Sequence, residues 1–183
     1  MRFLDIVFSL SGLLFLLPVL TLVFILNLTQ TSKPLFFQER VGRNQKKFTL
    51  VKFRTMRLNS KNLPSHEINE NQITHFGKFL RKTKLDELPQ LWNVLIGDMS
   101  LVGPRPCLES QTTLIEFRRK KGVYEYKPGI TGLAQIKKVD MSTPEQLSQL
   151  DEQMVKSLEV YSYFKYIILT IKGEGFGDVA GKK

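Results

Sequence analysis

The chain has 183 residues, a formal net charge of +10 and a sequence pI near 9.7. This length suits one domain of ordinary size. The positive charge predicts an anionic partner: nucleic acid, a lipid headgroup surface or a phosphorylated substrate. A single cysteine cannot form an internal disulfide, and the two histidines lack partners at metal-ligand spacing, which argues against a zinc site and favours reducing, cytoplasmic surroundings.

The chain opens with a long apolar segment. Residues 6–28 are nearly all apolar and uncharged, and about 20 such residues suffice to cross a bilayer. The start lacks the basic residues and cleavage site of a signal peptide, so we interpret the segment as retained. Pro18 removes one backbone donor and crowds the carbonyl of Leu14, which predicts a kink or a break. A mild kink leaves a spanning helix, which the residues alone slightly favour, whereas a sharp break keeps both ends on one face.

Lysine and arginine residues crowd the stretch after this segment. They are Lys33, Arg40, Arg43, Lys46, Lys47, Lys52, Arg54 and Arg57. Positive charge tends to stay inside the cell, so we expect the body of the protein in the cytoplasm whether the segment spans or turns back. The sequence therefore predicts two parts, a membrane anchor at residues 1–32 and one cytoplasmic domain at residues 33–183.

The remaining patterns predict an α+β fold that is mainly helical. Residues 47–56 alternate as a strand does, with Lys52 and Arg54 on one side, and a polar loop follows at residues 58–71. Helical periodicity appears in three later stretches, at about residues 73–80, 86–96 and 144–158.

Residues 161–171 gather aromatic and aliphatic side chains around Lys165. This composition is typical of a helix that lies in the lipid headgroup interface, and it is as typical of a helix in a protein core. The two interpretations carry equal weight from the sequence.

Asp86 and Glu87 form the most informative pair of the chain. Pro89 fits a helix only in its first turn, so we expect the helix to begin at about Asp86. Exposed amides and the positive end of the helix dipole would then favour an ionised Asp86 and attract phosphate. Asp86 is therefore a candidate nucleophile on phosphorus. The alternative is that Asp86 only caps the helix and Glu87 decorates its first turn.

Several cations suit a diphosphate substrate, because phosphoryl transfer depends mainly on positioning and charge neutralisation. The candidates are Lys52, Arg54, Arg81 and Arg105. Each of them alone is more often a solvated surface charge. Carboxylates beside phosphate also suggest Mg²⁺. The sequence has no Walker-type glycine loop and no Ser-His-Asp set.

Three stretches of the chain resemble the bacterial sugar transferase family, the small monotopic phosphoglycosyl transferases that begin glycoconjugate assembly. They are residues 34–56 (PLFFQERVGRNQKKFTLVKFRTM), 77–106 (GKFLRKTKLDELPQLWNVLIGDMSLVGPRP) and 127–136 (KPGITGLAQI). The resemblance extends over nearly the whole chain. It implies an enzyme of the bacterial inner membrane with its catalytic domain on the cytoplasmic face.

The resemblance also implies a reaction. Asp86 would attack the β-phosphorus of a UDP-sugar, expel UMP and carry the phosphosugar until undecaprenyl phosphate collects it. Glu87 would assist with metal or proton handling, and Mg²⁺ would bridge Asp86 and the diphosphate. Lys52, Arg81 and Arg105 would hold phosphate oxygens. This is the first membrane step of O-antigen, capsule, exopolysaccharide or glycoprotein assembly, so membrane lipids and downstream glycosyltransferases are further expected partners.

The chain departs from the family pattern at two places. The family's membrane segment is re-entrant and broken at a Ser-Pro pair, which implies a re-entrant helix broken at Pro18, although Leu17 replaces the serine. After Gln135 and Ile136, many relatives carry a Gly-Arg-Asn run that residues 137–144 replace. This variant is similar to a subgroup associated with N-acetylhexosamine substrates.

Two other classes of function compete with this hypothesis. A basic, membrane-tethered nucleic-acid binder would need a recognisable binding module or a basic stripe with stacking aromatics, and the sequence shows neither, so we expect no nucleic-acid partner. An inactive membrane scaffold of the same fold is the other alternative. The presence of Asp86, Glu87 and their cations argues against it.

Overall fold

The computed structural model describes residues 1–58, 60 and 70–174. Within these residues the fold is α+β and mainly helical, as predicted. The helices are α1 (Arg2–Leu28), α2 (His75–Thr83), α3 (Gln90–Ile96), α4 (Thr112–Lys120), α5 (Leu133–Ile136), α6 (Pro144–Lys156) and α7 (Val160–Ile171). The strands are β1 (Leu35–Val41), β2 (Lys47–Phe53), β3 (Ser100–Val102) and β4 (Gly129–Thr131). Most of the predicted polar loop at residues 58–71 lies outside the described residues.

The strands form two small sheets. β1 and β2 pair as an antiparallel hairpin in which Phe36 faces Lys52, so the strand predicted from alternation is confirmed as β2. It ends at Phe53, and Met56 forms an isolated bridge with Ile73 instead. β3 and β4 pair in parallel, with Val102 opposite Thr131. The segments that follow these two strands therefore start side by side.

Helix α1 remains helical through Pro18, which corrects the expected break at this residue. Pro18 is exposed, on the side of the helix away from the rest of the protein, and the loss of one backbone donor leaves the neighbouring turns intact. The buried residues of α1 recur at helical spacing over its whole length. They are Asp5, Ser9, Val23 and Asn27. One face of α1 therefore lies along the domain from end to end.

Both ends of α1 are hydrogen-bonded to the same domain. Near its start, Asp5 Oδ1 accepts hydrogen bonds from Ser100 Oγ (2.9 Å), the Leu101 amide (3.0 Å) and Tyr163 Oη (2.8 Å). Near its end, Asn27 Nδ2 donates to the carbonyl oxygens of Pro34 and Arg54, each at 2.9 Å. The helix is long and apolar enough to cross a membrane, but its two ends are held on one body.

The polarity of α1 is the reverse of that of a helix on a water-soluble protein. Three of its polar residues, Asp5, Ser9 and Asn27, are buried against the domain. Apolar residues such as Phe3 and Phe15, 77% and 85% exposed, point outward. Large apolar side chains are also exposed on α3, at Trp92 and Ile96. Exposed apolar side chains in such number mark a site of contact with lipid or with another protein.

Helix α7 has a buried face, as a core helix does, and an exposed face. Tyr163 and Tyr166 are buried in a core cluster with Val102 and Met154. On the opposite side, Tyr161 is 78% exposed. The helix therefore has one core face and one outward face. It also contacts α1, since the rings of Phe8 and Phe164 meet edge to face at 5.8 Å.

Candidate active site

Asp86 lies in a short 3-10 turn, Leu85–Glu87, between α2 and α3. Lys84 adopts a left-handed conformation (φ 59°, ψ 12°) that reverses the chain after α2. Pro89 is the N-cap of α3, which begins only at Gln90. The prediction that this helix starts at about Asp86 is therefore wrong, because Leu85–Glu87 form a separate 3-10 turn before it. The dipole of α3 does not explain the position of Asp86.

The two acidic side chains of this turn are both largely buried. Asp86 is 5% exposed, and its Oδ1 atom is out of contact with solvent. Glu87 Oε1 accepts a hydrogen bond from Arg105 Nη2 at 2.9 Å. Burial of carboxylates is costly unless positive charge surrounds them. The environment of the pair therefore depends on the cations around it.

Lys52 projects from β2 into this environment. Its ammonium lies 5.4 Å from the centre of the Phe36 ring on the neighbouring strand. The pKa of Lys52 is lowered to about 8, first by burial and then by repulsion from Arg40 and Arg81, while attraction to Asp86 and Glu87 limits the decrease. All four charged groups therefore lie close enough to shift the pKa of the Lys52 amine. The structure brings Lys52 together with the predicted carboxylates.

Arg81 reaches the same cluster from the last turn of α2. Gly77 lies one turn earlier on the same face, and a Cβ atom there would be 2.1 Å from the Thr55 carbonyl oxygen. The glycine thus allows α2 to approach the chain that follows β2, and Arg81 Nε donates to Thr55 Oγ1 at 2.9 Å. Arg81 Nη1 is buried and has no hydrogen-bond partner among residues 1–58, 60 and 70–174.

Arg105 comes from the Gly-Pro-Arg-Pro loop after β3. In addition to the ion pair with Glu87, its backbone carbonyl accepts a hydrogen bond from Arg118 Nη1 at 2.8 Å. Arg118 itself forms a buried ion pair with Asp151, with nitrogen–oxygen distances of 2.7 and 2.9 Å. This pair joins α4, α6 and the loop. It therefore fixes the backbone from which Arg105 extends.

Arg40 belongs to the cluster and was not predicted as a site residue. Its guanidinium donates to Gln38 Oε1 and to the Pro106 carbonyl oxygen. The pKa of Arg40 is lowered to about 10, mainly by burial and also by repulsion from Arg105. Strand alternation could have revealed it, because Phe36, Gln38 and Arg40 share the face on which Lys52 lies.

Arg54 was predicted to hold phosphate, but its hydrogen bonds serve the backbone. Its Nε atom donates to the Lys33 carbonyl at 2.8 Å, and Nη2 donates to the Leu35 carbonyl at 3.4 Å. The guanidinium lies 5.1 Å from the centre of the Phe36 ring. Arg54 thus fixes the start of β1.

The predicted Mg²⁺ would find two protein carboxylates here, Asp86 and Glu87. Among the described residues no group of three or more histidine, cysteine or acidic side chains could hold a metal ion by itself. Mg²⁺ commonly binds through one or two carboxylates together with substrate phosphates. The carboxylate oxygens of Asp86 and Glu87, which are adjacent in one turn, suit this mode of binding. They would hold a metal ion that binds together with a phosphorylated ligand.

Comparisons with known proteins place these residues in context. The family model described as bacterial sugar transferase matches residues 1–174. The UDP-galactose-lipid carrier transferase of Erwinia amylovora is 36% identical over 95% of this chain. The UDP-glucose:undecaprenyl-phosphate glucose-1-phosphate transferase of Xanthomonas campestris pv. campestris is 33% identical over 91% of it. The UDP-N-acetylgalactosamine-undecaprenyl-phosphate N-acetylgalactosaminephosphotransferase of Aeromonas hydrophila is 40% identical over 61%. The matched parts make up 41%, 37% and 27% of the lengths of these relatives.

Proposed function

The chain belongs to the bacterial sugar transferase family, and on this basis we propose that it transfers a sugar 1-phosphate from a UDP-sugar to undecaprenyl phosphate. The products are undecaprenyl-diphospho-sugar and UMP. The names of the three relatives support this reaction, since each combines a UDP-sugar or sugar phosphate with a lipid carrier or undecaprenyl phosphate. The observation that carries the proposal is a buried Asp86 within a cluster of cations.

In the first step the Asp86 carboxylate attacks the β-phosphorus of the UDP-sugar. A bond forms between the carboxylate oxygen and phosphorus, and the bond from this phosphorus to the oxygen that bridges the two phosphates breaks. The electron pair leaves with that oxygen on UMP. Asp86 then carries the sugar phosphate as an acyl phosphate, a covalent intermediate that retains the energy needed for the second transfer.

In the second step an oxygen of undecaprenyl phosphate attacks the same phosphorus, and Asp86 leaves as a carboxylate. The incoming phosphate needs no deprotonation when it is a dianion, so neither step requires a strong base. Positioning and charge neutralisation therefore dominate catalysis. Lys52, Arg81 and Arg105 suit this role, because they approach the carboxylates from three different elements of the fold.

Glu87 and the metal complete the proposed site. Mg²⁺ held by Asp86 and Glu87 would neutralise oxygens of the diphosphate when bound. Glu87 keeps its ion pair with Arg105 at 2.9 Å, which orients both side chains beside Asp86. Arg81 Nη1 is a buried donor suited to a phosphate oxygen.

The lipid substrate requires the site to lie at a membrane surface. We assign residues 1–32 as the membrane anchor and residues 33–183 as the catalytic domain on the cytoplasmic face of the inner membrane. Support comes from α1, which keeps both ends on the domain and turns its apolar side chains outward. In this proposal the anchor is re-entrant, and its helix continues through Pro18 with the loss of only the one hydrogen bond that a proline cannot donate.

The topology can be tested with one introduced thiol, because the native Cys107 is buried. Phe3→Cys places a thiol at an exposed position near the start of α1. In intact spheroplasts a membrane-impermeant maleimide should leave this thiol unlabelled, and permeabilised cells should show labelling. Labelling from the outside of intact cells would mean that α1 spans the membrane.

The identity of the sugar is a separate proposal. The relatives act on galactose, glucose and N-acetylgalactosamine derivatives by name, and we propose an N-acetylhexosamine for this chain on the basis of residues 137–144. UMP release from a panel of UDP-sugars measures this directly. A higher kcat/KM for UDP-glucose or UDP-galactose than for their N-acetyl counterparts would contradict it.

The nucleophile has a sharper test. Wild-type protein mixed with Mg²⁺ and the UDP-sugar, without lipid acceptor, should gain the mass of one sugar phosphate on the peptide that contains Asp86. Asp86→Asn should show no adduct and lose at least about 10³-fold in kcat. Asp98→Asn, a carboxylate on the neighbouring loop, is the matched control and should behave as the wild type does. Turnover by Asp86→Asn at the wild-type rate would refute the assignment, and no adduct with any sugar would favour an inactive scaffold.

A further inference from the structure

The segment after β4 lies beside the loop that carries Arg105. β3 and β4 are parallel, and the Gly103 amide donates to the Thr131 carbonyl at 2.8 Å across their carboxyl ends. β3 continues into Gly103 and the Arg105 loop, while β4 continues into Gly132 and α5. Side chains at the start of α5 are therefore neighbours of the proposed active site.

Within α5, Gln135 is the one polar residue among three apolar ones. Leu133 and Ile136 pack against the cluster around Met154, and Ala134 packs against the cluster around Cys107. Gln135 Oε1 lies 3.0 Å from the position that a Cβ atom on Gly132 would take, and the Gly103 carbonyl oxygen lies 2.6 Å from that same position. The amide is thus close to the backbone two residues before Arg105.

Both polar atoms of the Gln135 amide are buried without a hydrogen bond. Neither Nε2 nor Oε1 has a partner among the residues that the structure describes. Buried amide groups nearly always have partners, and an amide that lacks both costs the protein the desolvation of a donor and an acceptor. Gln38, which is also buried, shows the usual solution, because its Oε1 atom accepts from Arg40. Among the described residues the fold supplies no hydrogen bond to the Gln135 amide, and a bound ligand could supply both.

We propose that the Gln135 amide recognises the UDP-sugar through a ligand edge that presents an N–H group next to a carbonyl. This inference rests on the proposed function and adds a specificity residue to it. Such an edge satisfies both polar ends of one amide at once. Phosphate oxygens only accept hydrogen bonds and would leave Oε1 unpaired. A UDP-sugar offers this edge in the uracil base, where an N–H group lies between two carbonyl groups, whereas a trans acetamido group points its N–H and its carbonyl to opposite sides.

The test compares Gln135→Met with a matched control, Gln153→Met, at an exposed position of α6. Methionine has nearly the same size as glutamine but neither donates nor accepts a normal hydrogen bond. Without ligand, Gln135→Met should melt at the wild-type temperature or above it, since no hydrogen bond is lost and a buried polar group is removed. With UDP-sugar, KM should rise about 10- to 100-fold while kcat changes little. Gln153→Met should match the wild type in both measurements.

The choice of UDP-sugars tests whether the edge is that of the uracil base. An equal rise in KM for UDP-N-acetylhexosamines and UDP-hexoses supports it. A rise confined to the N-acetyl sugars would place Gln135 at the sugar and overturn the assignment to uracil. An unchanged KM for every sugar, or a lower melting temperature of the free protein that accounts for the loss, overturns the proposal.

These results are separable from the proposed function as a whole. Wild-type turnover tests the reaction, whereas thermal stabilisation by UMP or by the intact UDP-sugar tests binding. If the wild type binds a UDP-sugar but transfers nothing, the reaction is wrong. The inference then survives only if Gln135→Met weakens that binding.

Discussion

Replacing Lys52 with methionine should make the folded protein more stable and the enzyme much less active. The pKa of the Lys52 amine falls from 10.5 to about 8 in the fold, first because of burial and then because of repulsion from Arg40. Each pKa unit corresponds to about 1.4 kcal/mol, so keeping this amine charged costs the folded state at most about 3 kcal/mol at neutral pH. Methionine keeps the length of the side chain and its contact with Phe36 but carries no charge.

The pH dependence of this gain follows from linkage. Between pH 8 and 10.5 the unfolded chain holds a proton on Lys52 that the folded protein has released, so the stability of the wild type rises with pH across this window. The advantage of Lys52→Met should therefore be largest below pH 8. It should shrink through the window and vanish near pH 10.5, where the amine is neutral in both states.

Thermal unfolding in detergent at pH 7 and pH 10 measures the effect. We expect Lys52→Met to melt several degrees above the wild type at pH 7 and close to it at pH 10. Lys46→Met, at an exposed position of the hairpin, is the control and should change neither melting temperature. The kcat/KM of Lys52→Met should fall about 100-fold or more, because a phosphate contact is lost. The reasoning would be refuted if Lys52→Met melted below the wild type at pH 7. It would also be refuted if the difference in melting temperature between the two proteins did not change with pH.

Three further results are expected. The KM for the UDP-sugar should rise as pH increases through about 8, where Lys52 loses its proton, and Lys52→Arg should flatten that part of a KM–pH profile; a wild-type profile without this rise would contradict the role of Lys52. Arg118→Met should lower the free energy of unfolding by about 3–5 kcal/mol, since it strands the buried Asp151 carboxylate. In the double variant with Asp151→Leu, the melting temperature should return to the wild-type value. If the ion pair positions Arg105, kcat/KM should stay low in this variant. Full recovery of kcat/KM would mean that the pair only stabilises the fold. Removal of Mg²⁺ by EDTA should abolish UMP release and leave the melting temperature of the free protein unchanged, and activity that persists in EDTA would exclude the proposed metal.

Patterns within single strands, helices and turns were enough to locate part of the site. Strand alternation placed Lys52 on β2. Helical spacing predicted a helix at about residues 73–80, and the observed α2 extends to Thr83 and includes Arg81. Arg105 stands between two prolines, which restrict its backbone. These residues meet because each element is short and packs around the Asp86 turn. Sequence patterns and the family resemblance therefore named most of the charged residues of the site before the structure was known.

Long-range contacts account for most of what the sequence did not reveal. The partners Arg118 and Asp151 lie 33 positions apart on separate helices, and nothing in either helix alone distinguishes them from solvated charges. Arg40 was counted only as a flanking cation, since the alternation of β1 was not used, and its hydrogen bond to the Pro106 carbonyl, 66 residues away, has no local signal. The start of α3 was misplaced for a local reason, since the left-handed Lys84 and the 3-10 turn leave no simple periodic signal.

The reversed polarity of α1 shows a signal that was present and not used. Asp5 and Asn27 are the polar residues at the two ends of an apolar helix, and both face the domain rather than water. A charged residue at the start of an apolar segment is costly unless it is paired within protein. Asp5 meets this condition with three donors from two other elements. Its presence in the sequence therefore pointed to a helix whose ends are held by the domain.

The charge balance of the site also determines which measurement can identify the nucleophile. Four cations, Arg40, Lys52, Arg81 and Arg105, surround the two carboxylates Asp86 and Glu87, and the pKa of Lys52 depends on Asp86 as well as on its cationic neighbours. Asp86→Asn removes the attacking oxygen and at the same time an anion that helps to keep Lys52 protonated. Loss of activity in that variant would follow from either change. The covalent adduct on Asp86 separates them, because only an attacking carboxylate can acquire the mass of the sugar phosphate.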